Sequence, residues 1–252
     1  LLATSFAVSM VGAPSATFAD TVTVPAPGAY LAAGVALSES AFVPAAQYLD
    51  AALLTDPDNS VLLDSAIVAN IGMGDVDKAA GFADRLTAGG GKSQAANLAL
   101  IARDAKSGDF DAITAIKANA GSVAMLDDLV KAWAQVGLGH MSDATAAFDK
   151  IATTKGLEAF GLYHKALALA SAGDFEGADK ILSADGKGGV ALSRRGVIAQ
   201  IQILSQLERN DEAIALIDRT FAPGSDVEVD DLRRRLAAGE PIPYDVARNA
   251  TE

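Results

Sequence analysis

The sequence predicts an all-α protein built from helix pairs that follow one another along the chain. Small or aliphatic residues recur at steps of 34, 34, 31, 34 and 35 residues, a spacing typical of repeated pairs of antiparallel helices. Half of the 252 residues are hydrophobic and only 6% are aromatic, which suits closely packed helices. Turn-forming residues separate the apolar stretches. The recurring residues are Ala45, Ala79, Ile113, Ala144, Ala178 and Ala213.

Charge and cysteine content exclude several classes of function. The formal net charge is -12, and no cluster of Lys and Arg is present that would release counterions from a phosphate backbone, so nucleic acid is not expected as a partner. The basic run at residues 233–235 lies beside Asp230 and Asp231 and is interpreted as a solvated helix face. The chain has no cysteine, which excludes disulfides, thiolate metal sites and cysteine nucleophiles.

Residues 1–19 are predicted to be the remnant of a signal peptide. They contain no charged side chain and close with small residues before Asp20. Gly12 and Pro14 interrupt the apolar stretch, which is shorter than the about 20 residues a spanning helix requires. We therefore expect a periplasmic or exported protein with no integral membrane span after cleavage. The alternative is a chain tethered to the membrane by an uncleaved amino-terminal segment.

The next elements follow in order along the chain. Residues 20–27 carry Pro25 and Pro27 and are predicted to form an extended lead-in, because proline and its predecessor resist helical geometry. The helical array is predicted over residues 28–224. Its first pair spans residues 29–38 and 41–55, and Asn59 or Ser60 is expected to cap the following helix.

Later pairs contain a recurring turn in which glycine precedes an acidic residue. Gly74 and Asp75 form the turn of the second pair, where glycine relieves the steric cost of the reversal and the aspartate caps the second helix. The same dipeptide returns at residues 108–109 and 173–174, each time followed by phenylalanine, and residues 139–140 are a variant. In the last pair Asn210 is expected to replace the glycine, because asparagine tolerates left-handed geometry.

Three of these segments, residues 45–53, 173–178 and 210–216, resemble the second-helix signature of tetratricopeptide repeat (TPR) proteins. The resemblance covers about residues 28–222 and implies a right-handed α-solenoid of about six helix-turn-helix repeats. More narrowly, the chain is similar to large exported TPR proteins of Gram-negative bacteria. It departs from the family pattern in that the second and third repeats lack a closing Asp-Pro and one step is short.

Beyond residue 224 the pattern changes. Residues 227–238 are predicted to form one more helix, followed by the Gly- and Pro-containing stretch 239–243. A fresh apolar start at Tyr244 is interpreted as the beginning of a truncated next unit within residues 225–252. A protective last helix is not visible, so the natural protein is expected to continue beyond Glu252.

No catalytic, cofactor or metal site is predicted. The stretch 89–93 is similar to a phosphate-binding loop but has Leu86 where the first glycine belongs and follows a helix rather than a strand. The two histidines, His140 and His164, have no spacing that would bring them to one metal ion, and we expect ordinary surface or packing roles for them. No Gly-x-Ser-x-Gly turn positions a serine nucleophile.

Partner binding is expected on the concave face, which in TPR folds is lined mainly by the first helix of each pair. A patch of Leu129, Trp133, Phe160 and Tyr163 suits an amphipathic helix or an extended apolar peptide, and Gln202 occupies the same face. The alternative is that Trp133 and Phe160 simply join adjacent repeats. The matched Lys, Asn and Arg of carboxylate-binding family members are not present at these positions.

The function predicted from these features is a non-enzymatic scaffold or adaptor of the bacterial cell envelope that binds a partner protein or peptide. An alternative is the binding or regulatory portion of a longer enzyme whose catalytic domain lies beyond residue 252. A third hypothesis is a cytoplasmic or membrane-tethered adaptor, if residues 1–19 are not removed.

Overall fold

The computed structural model describes residues 26–116, 124–183 and 193–250, and within these ranges the chain is helical with no strand. The predicted signal remnant and residues 20–25 of the lead-in lie outside the described residues. The helices are α1 (Ala26–Ser38), α2 (Phe42–Leu53), α3 (Ser60–Gly72), α4 (Val76–Ala88), α5 (Gln94–Ser107), α6 (Phe110–Ala115), α7 (Ala124–Gly137), α8 (Met141–Ala152), α9 (Glu158–Ser171), α10 (Phe175–Leu182), α11 (Arg194–Gln206), α12 (Asn210–Thr220), α13 (Val227–Ala237) and α14 (Val246–Ala250).

From α1 to α13, each helix contacts the next one along the chain. The helices pair as α1 with α2, α3 with α4, and so on to α11 with α12. First helices also meet across pairs, since α3 contacts α5 and α9 contacts α11. Helix α1 begins two residues before the predicted array, and α6 has only six residues, which accompanies the short step of 31.

Every turn between paired helices has the same backbone geometry. The residue before the second helix's N-cap has a positive φ, and the N-cap amide donates to the carbonyl five residues earlier at 2.8 to 2.9 Å. The left-handed residues are Ser40, Gly74, Gly108, Gly139, Gly173 and Glu208, which are separated by the same steps as the recurring small residues. The repeat seen in the sequence is therefore also a repeat of local structure.

One turn prediction is wrong. The left-handed residue of the last pair is Glu208, with φ of 59°, whereas Asn210 is the first residue of α12. The hydrogen bond from the Arg209 amide to the Leu204 carbonyl fixes this geometry. The turn thus imposes the left-handed conformation on a residue that does not favour it.

The aspartate and asparagine caps are confirmed. The Asn59 side chain accepts hydrogen bonds from two amides at the start of α3. Asp75, Asp109 and Asp174 each accept one amide in the first turn of α4, α6 and α10. These caps satisfy amides that have no partner inside the helix, so they help to fix where α3, α4, α6 and α10 begin.

The core lies along the line of small residues. All six recurring positions are at most 2% exposed, because each faces the neighbouring helices. Gly161 of α9 shows how close two helices come, since a Cβ there would lie 2.5 Å from the Ala152 amide nitrogen of α8. Larger side chains such as Phe148 and Leu49 fill the space between the pairs.

After α13 the chain leaves the repeating pattern. Gly239 has a positive φ and the Glu240 amide donates to the Arg235 carbonyl, which ends α13 like the earlier turns. Instead of starting the predicted next unit, the following residues run back, and α14 contacts α9 and α11. Residues 241–245 are not helical, and Pro243 disfavours helical geometry at the preceding Ile242.

Candidate functional site

Residues 241–250, here called the return segment, lie against the first helices α9 and α11. Residues 241–245 are not helical, and α14 completes the segment. Two of its side chains, Ile242 and Asn249, are at most 2% exposed. The alternating residues Pro243, Asp245 and Ala247 are exposed, so one side of the segment faces the helices and the other faces solvent.

Helix α11 binds the main chain of the return segment at its start. The Gln206 Nε2 donates to the Ile242 carbonyl at 2.7 Å, and the Ile242 amide donates to the Ser205 Oγ at 2.8 Å. One turn earlier on α11, the Gln202 Oε1 accepts the Asp245 amide at 3.2 Å. These hydrogen bonds satisfy main-chain groups of an extended peptide without reading its side chains.

Helix α9 and Gln202 hold the far end of the segment. The Tyr163 hydroxyl donates to the Asn249 carbonyl at 3.1 Å. The Asn249 Nδ2 donates to the Gln202 Oε1 at 2.7 Å, so this one amide oxygen accepts both Asn249 and the Asp245 amide. Asn249 is buried, so its Nδ2 needs such a partner, whereas its buried Oδ1 accepts no hydrogen bond from the described residues.

Tyr244 anchors the middle of the return segment. Its hydroxyl donates to the Leu167 carbonyl at 3.0 Å, and its ring meets Phe175 edge-on with centroids 6.0 Å apart. Burial raises the pKa of the Tyr244 hydroxyl above its usual value, so the phenol stays protonated and remains a donor. Beside it is an open cleft of about 540 Å³, lined in part by Ser171 and Gln206.

A change at one repeat position makes room for this arrangement. Phe42 and Phe110, each the first residue of a second helix, lie against Gly72 and Gly137, where a Cβ would come within 2.5 and 2.7 Å of the rings. Phe175 is the third phenylalanine at this position, but the corresponding residue of the next pair is Gln206. Phe175 is instead covered by Tyr244, and Gln206 binds the return segment.

The surface of α9 and α11 that holds the return segment is here called the groove. An aromatic cluster lies next to it, around the buried His164. The Trp133 Nε1 donates to the His164 Nδ1 at 3.1 Å, and the Phe160 ring centroid lies 4.5 Å from the imidazole centroid. Tyr163 and Phe148 also contact the imidazole. Burial lowers the pKa of His164 from 6.5 to about 4, so the ring is neutral at physiological pH.

The predicted partner-binding residues divide into two groups. Tyr163 and Gln202 bind the return segment. Leu129, Trp133 and Phe160 are partly buried in the hydrophobic cluster between the fourth and fifth pairs, where Trp133 and Phe160 join neighbouring helices as the alternative interpretation described.

Sequence reasoning did not identify His164, Ser205, Gln206 or the return segment as parts of this region. The best available signal was the Pro-Ile-Pro-Tyr stretch at residues 241–244. It carries two large side chains that need cover, and Pro243 disfavours helical geometry at the preceding Ile242.

The described ranges contain no group of three or more His, Asp or Glu side chains arranged to hold a metal ion. In the same ranges, no helix combines the length and the apolar character needed to cross a membrane. The acidic side chains of the second helices mostly cap helices or pair with basic ones, as Asp179 pairs with Arg209 at 2.6 Å.

The first-helix face at the other end of the array is uncovered in the described part of the chain. Leu31 and Val35 of α1 and Val68 of α3 are exposed apolar side chains. Leu31, Val35 and Ser65 line a shallow cavity of about 400 Å³ between the two helices. This part of the face offers apolar contact area, whereas the α9–α11 part offers hydrogen-bonding groups as well.

No protein-family model matches the chain, and no curated protein is significantly similar to it. The geometry of the helix pairs and of the groove therefore carries the functional argument.

Proposed function

We propose that the chain is a non-enzymatic protein-interaction scaffold that binds peptide segments of a partner on the face formed by its first helices. One observation carries this proposal: Tyr163, Gln202, Ser205 and Gln206 hydrogen-bond to the main chain of a peptide segment. Side chains that satisfy main-chain groups are the general requirement for binding a peptide in extended form.

The proposed architecture is a right-handed TPR-like α-solenoid of about six repeats. Its support is the left-handed turn residue that recurs at steps of 34, 34, 31, 34 and 35 residues, together with the buried alanine or isoleucine five positions later in each pair. Such arrays present a long face to partners, and each unit depends on its neighbours for its core.

The proposed location is the periplasm or the exterior of a bacterial cell, with residues 1–19 acting as an export signal. The support is the uncharged, apolar character of that segment and its small residues before Asp20. Mass measurement of the mature amino terminus tests this point. A terminus at Asp20 supports export with cleavage, whereas retention of residues 1–19 supports the tethered alternative.

Selection from a peptide library on the immobilised full chain tests the binding function. We expect enriched peptides whose affinity falls about tenfold in Val68→Ser, since Val68 is an exposed apolar residue of the first-helix face. Leu54→Ser is the matched control, because Leu54 is exposed just beyond the end of a second helix. Failure to enrich any peptide, or equal loss in the control, contradicts the proposal.

A further inference from the structure

We propose that the return segment is an intramolecular stand-in for the partner, and that the partner is a peptide with the same pattern. That pattern is an aliphatic residue, a tyrosine two positions later and an asparagine five positions after the tyrosine, as in Ile242, Tyr244 and Asn249. The inference rests on the proposed function, because it names the ligand of the same first-helix face.

The contacts of the return segment are of the kind a separate peptide would make. Its main chain bonds to Ser205 and Gln206, and its two anchors, Ile242 and Tyr244, are separated by the solvent-facing Pro243. Alternation between buried and exposed residues is how an extended peptide fills pockets on a surface. The one-turn helix α14 then brings Asn249 to Gln202.

The groove is specialised for this occupant. At the equivalent position of two other pairs a glycine accommodates a phenylalanine ring, but here Gln206 takes that place and donates to the Ile242 carbonyl. If the groove were empty, the Gln206 side-chain amide would lose its acceptor and the Phe175 ring would lose its cover. A peptide that supplies a carbonyl and an aromatic ring, as the return segment does, satisfies both.

The return segment is held to the array by one covalent connection. It is joined to α13 by residues 238–240, which are exposed. Val229, Leu232 and Leu236 hold helix α13 in a cluster with α11 and α12, and Ile242 is the one residue of the return segment that also belongs to this cluster. The segment therefore occupies the groove as a tethered ligand, and a short tether gives an effective concentration near the millimolar range.

The test measures binding of a labelled peptide with the sequence of residues 240–250 to the full chain. The tethered segment competes, so we expect weak binding to the unaltered protein. The double variant Ile242→Ala with Tyr244→Ala, here called the released variant, should bind the peptide at least about 30-fold more tightly than the unaltered protein. Its own return segment no longer competes for the groove. A peptide with alanine at the positions of Ile242 and Tyr244 is the matched control and should not bind.

A second variant assigns the binding to the groove. Adding Gln206→Ala to the released variant should remove most of the gained affinity, because the donor to the peptide carbonyl is lost. Equal affinity of the unaltered and released proteins overturns the inference, as does binding that ignores Gln206→Ala.

If circular dichroism shows that the released variant has lost its helical structure, a protease site inserted between Glu240 and Pro241 provides a second way to free the segment. Cleavage there leaves every groove contact with its natural residues. We expect the labelled peptide to exchange into the cleaved protein and not into the uncleaved one. No exchange after cleavage overturns the inference. The proposed function would still stand if the peptides selected from the library lose affinity in Val68→Ser.

Discussion

The two ends of the first-helix face differ in what covers them. Val68 of α3 and Gln202 of α11 hold the same repeat position, six residues before the left-handed turn residue. Val68 is 41% exposed, whereas Gln202 is 6% exposed because the return segment lies on it. The same helix-pair geometry thus supports an uncovered apolar surface at one end and an occupied polar groove at the other.

The difference arises from a few side chains rather than from the backbone. The turns at Gly74 and Glu208 have the same left-handed conformation and the same hydrogen bond. What changes is the residue two positions before the turn, which is Gly72 at one end and Gln206 at the other. Repeat proteins can therefore vary a binding face while they keep their packing rules.

The largest effect should come from removing the buried anchor of the covered end. Ile242→Ala deletes a side chain that is 2% exposed and should lower the free energy of unfolding by about 3 kcal/mol. Val68→Ala, the matched change on the uncovered end, should lower it by less than about 0.5 kcal/mol. Urea unfolding followed by circular dichroism measures both, and similar losses would remove the contrast between the two ends.

Acid should weaken the covered end through His164. Its folded pKa of about 4 lies below its ordinary 6.5, so between these values the unfolded chain binds a proton that the folded chain does not. The contribution of the neutral His164 to the free energy of unfolding is therefore complete above about pH 6.5. It is lost as the pH falls, by about 2 kcal/mol between about pH 7.5 and about pH 5. Urea unfolding at these pH values measures the loss, and His164→Gln should flatten it.

His140 provides the matched control for the acid experiment. It is exposed, and its ring contacts the Gln135 side chain at 3.0 Å. His140→Gln leaves the aromatic cluster around His164 intact, so the loss of stability at low pH should persist in this variant. The carboxylate of Asp226, whose pKa is lowered to about 2 by Arg194, titrates below this pH window and does not interfere. An unchanged slope in His164→Gln would show that another group governs the acid response.

The smallest effect on stability should come from the uncovered end. Leu31→Ser with Val35→Ser replaces two exposed apolar side chains and should change the free energy of unfolding by less than about 0.5 kcal/mol. The same change should reduce the binding of an apolar fluorescent dye, because it removes contact area from the cavity between α1 and α3. Undiminished dye binding would mean that the apolar surface lies elsewhere.

The sequence was sufficient to predict the helix pairs and several caps because these depend on local residues that recur. Asn59 and Asp75 cap as expected, and the recurring small residues are buried. The left-handed Glu208 was missed because the turn geometry, not the residue type, fixes its conformation. The return segment was missed because its contacts join residues that are far apart in sequence, such as Tyr163 and Asn249.

The bond between Trp133 and His164 has a practical consequence. Trp133 is the only tryptophan in the 252-residue chain, and its indole N–H is held by the neutral imidazole. The tryptophan emission of the whole protein therefore originates at a single junction between the fourth and fifth pairs. Tryptophan fluorescence therefore reports on the packing between these two helix pairs without an attached label.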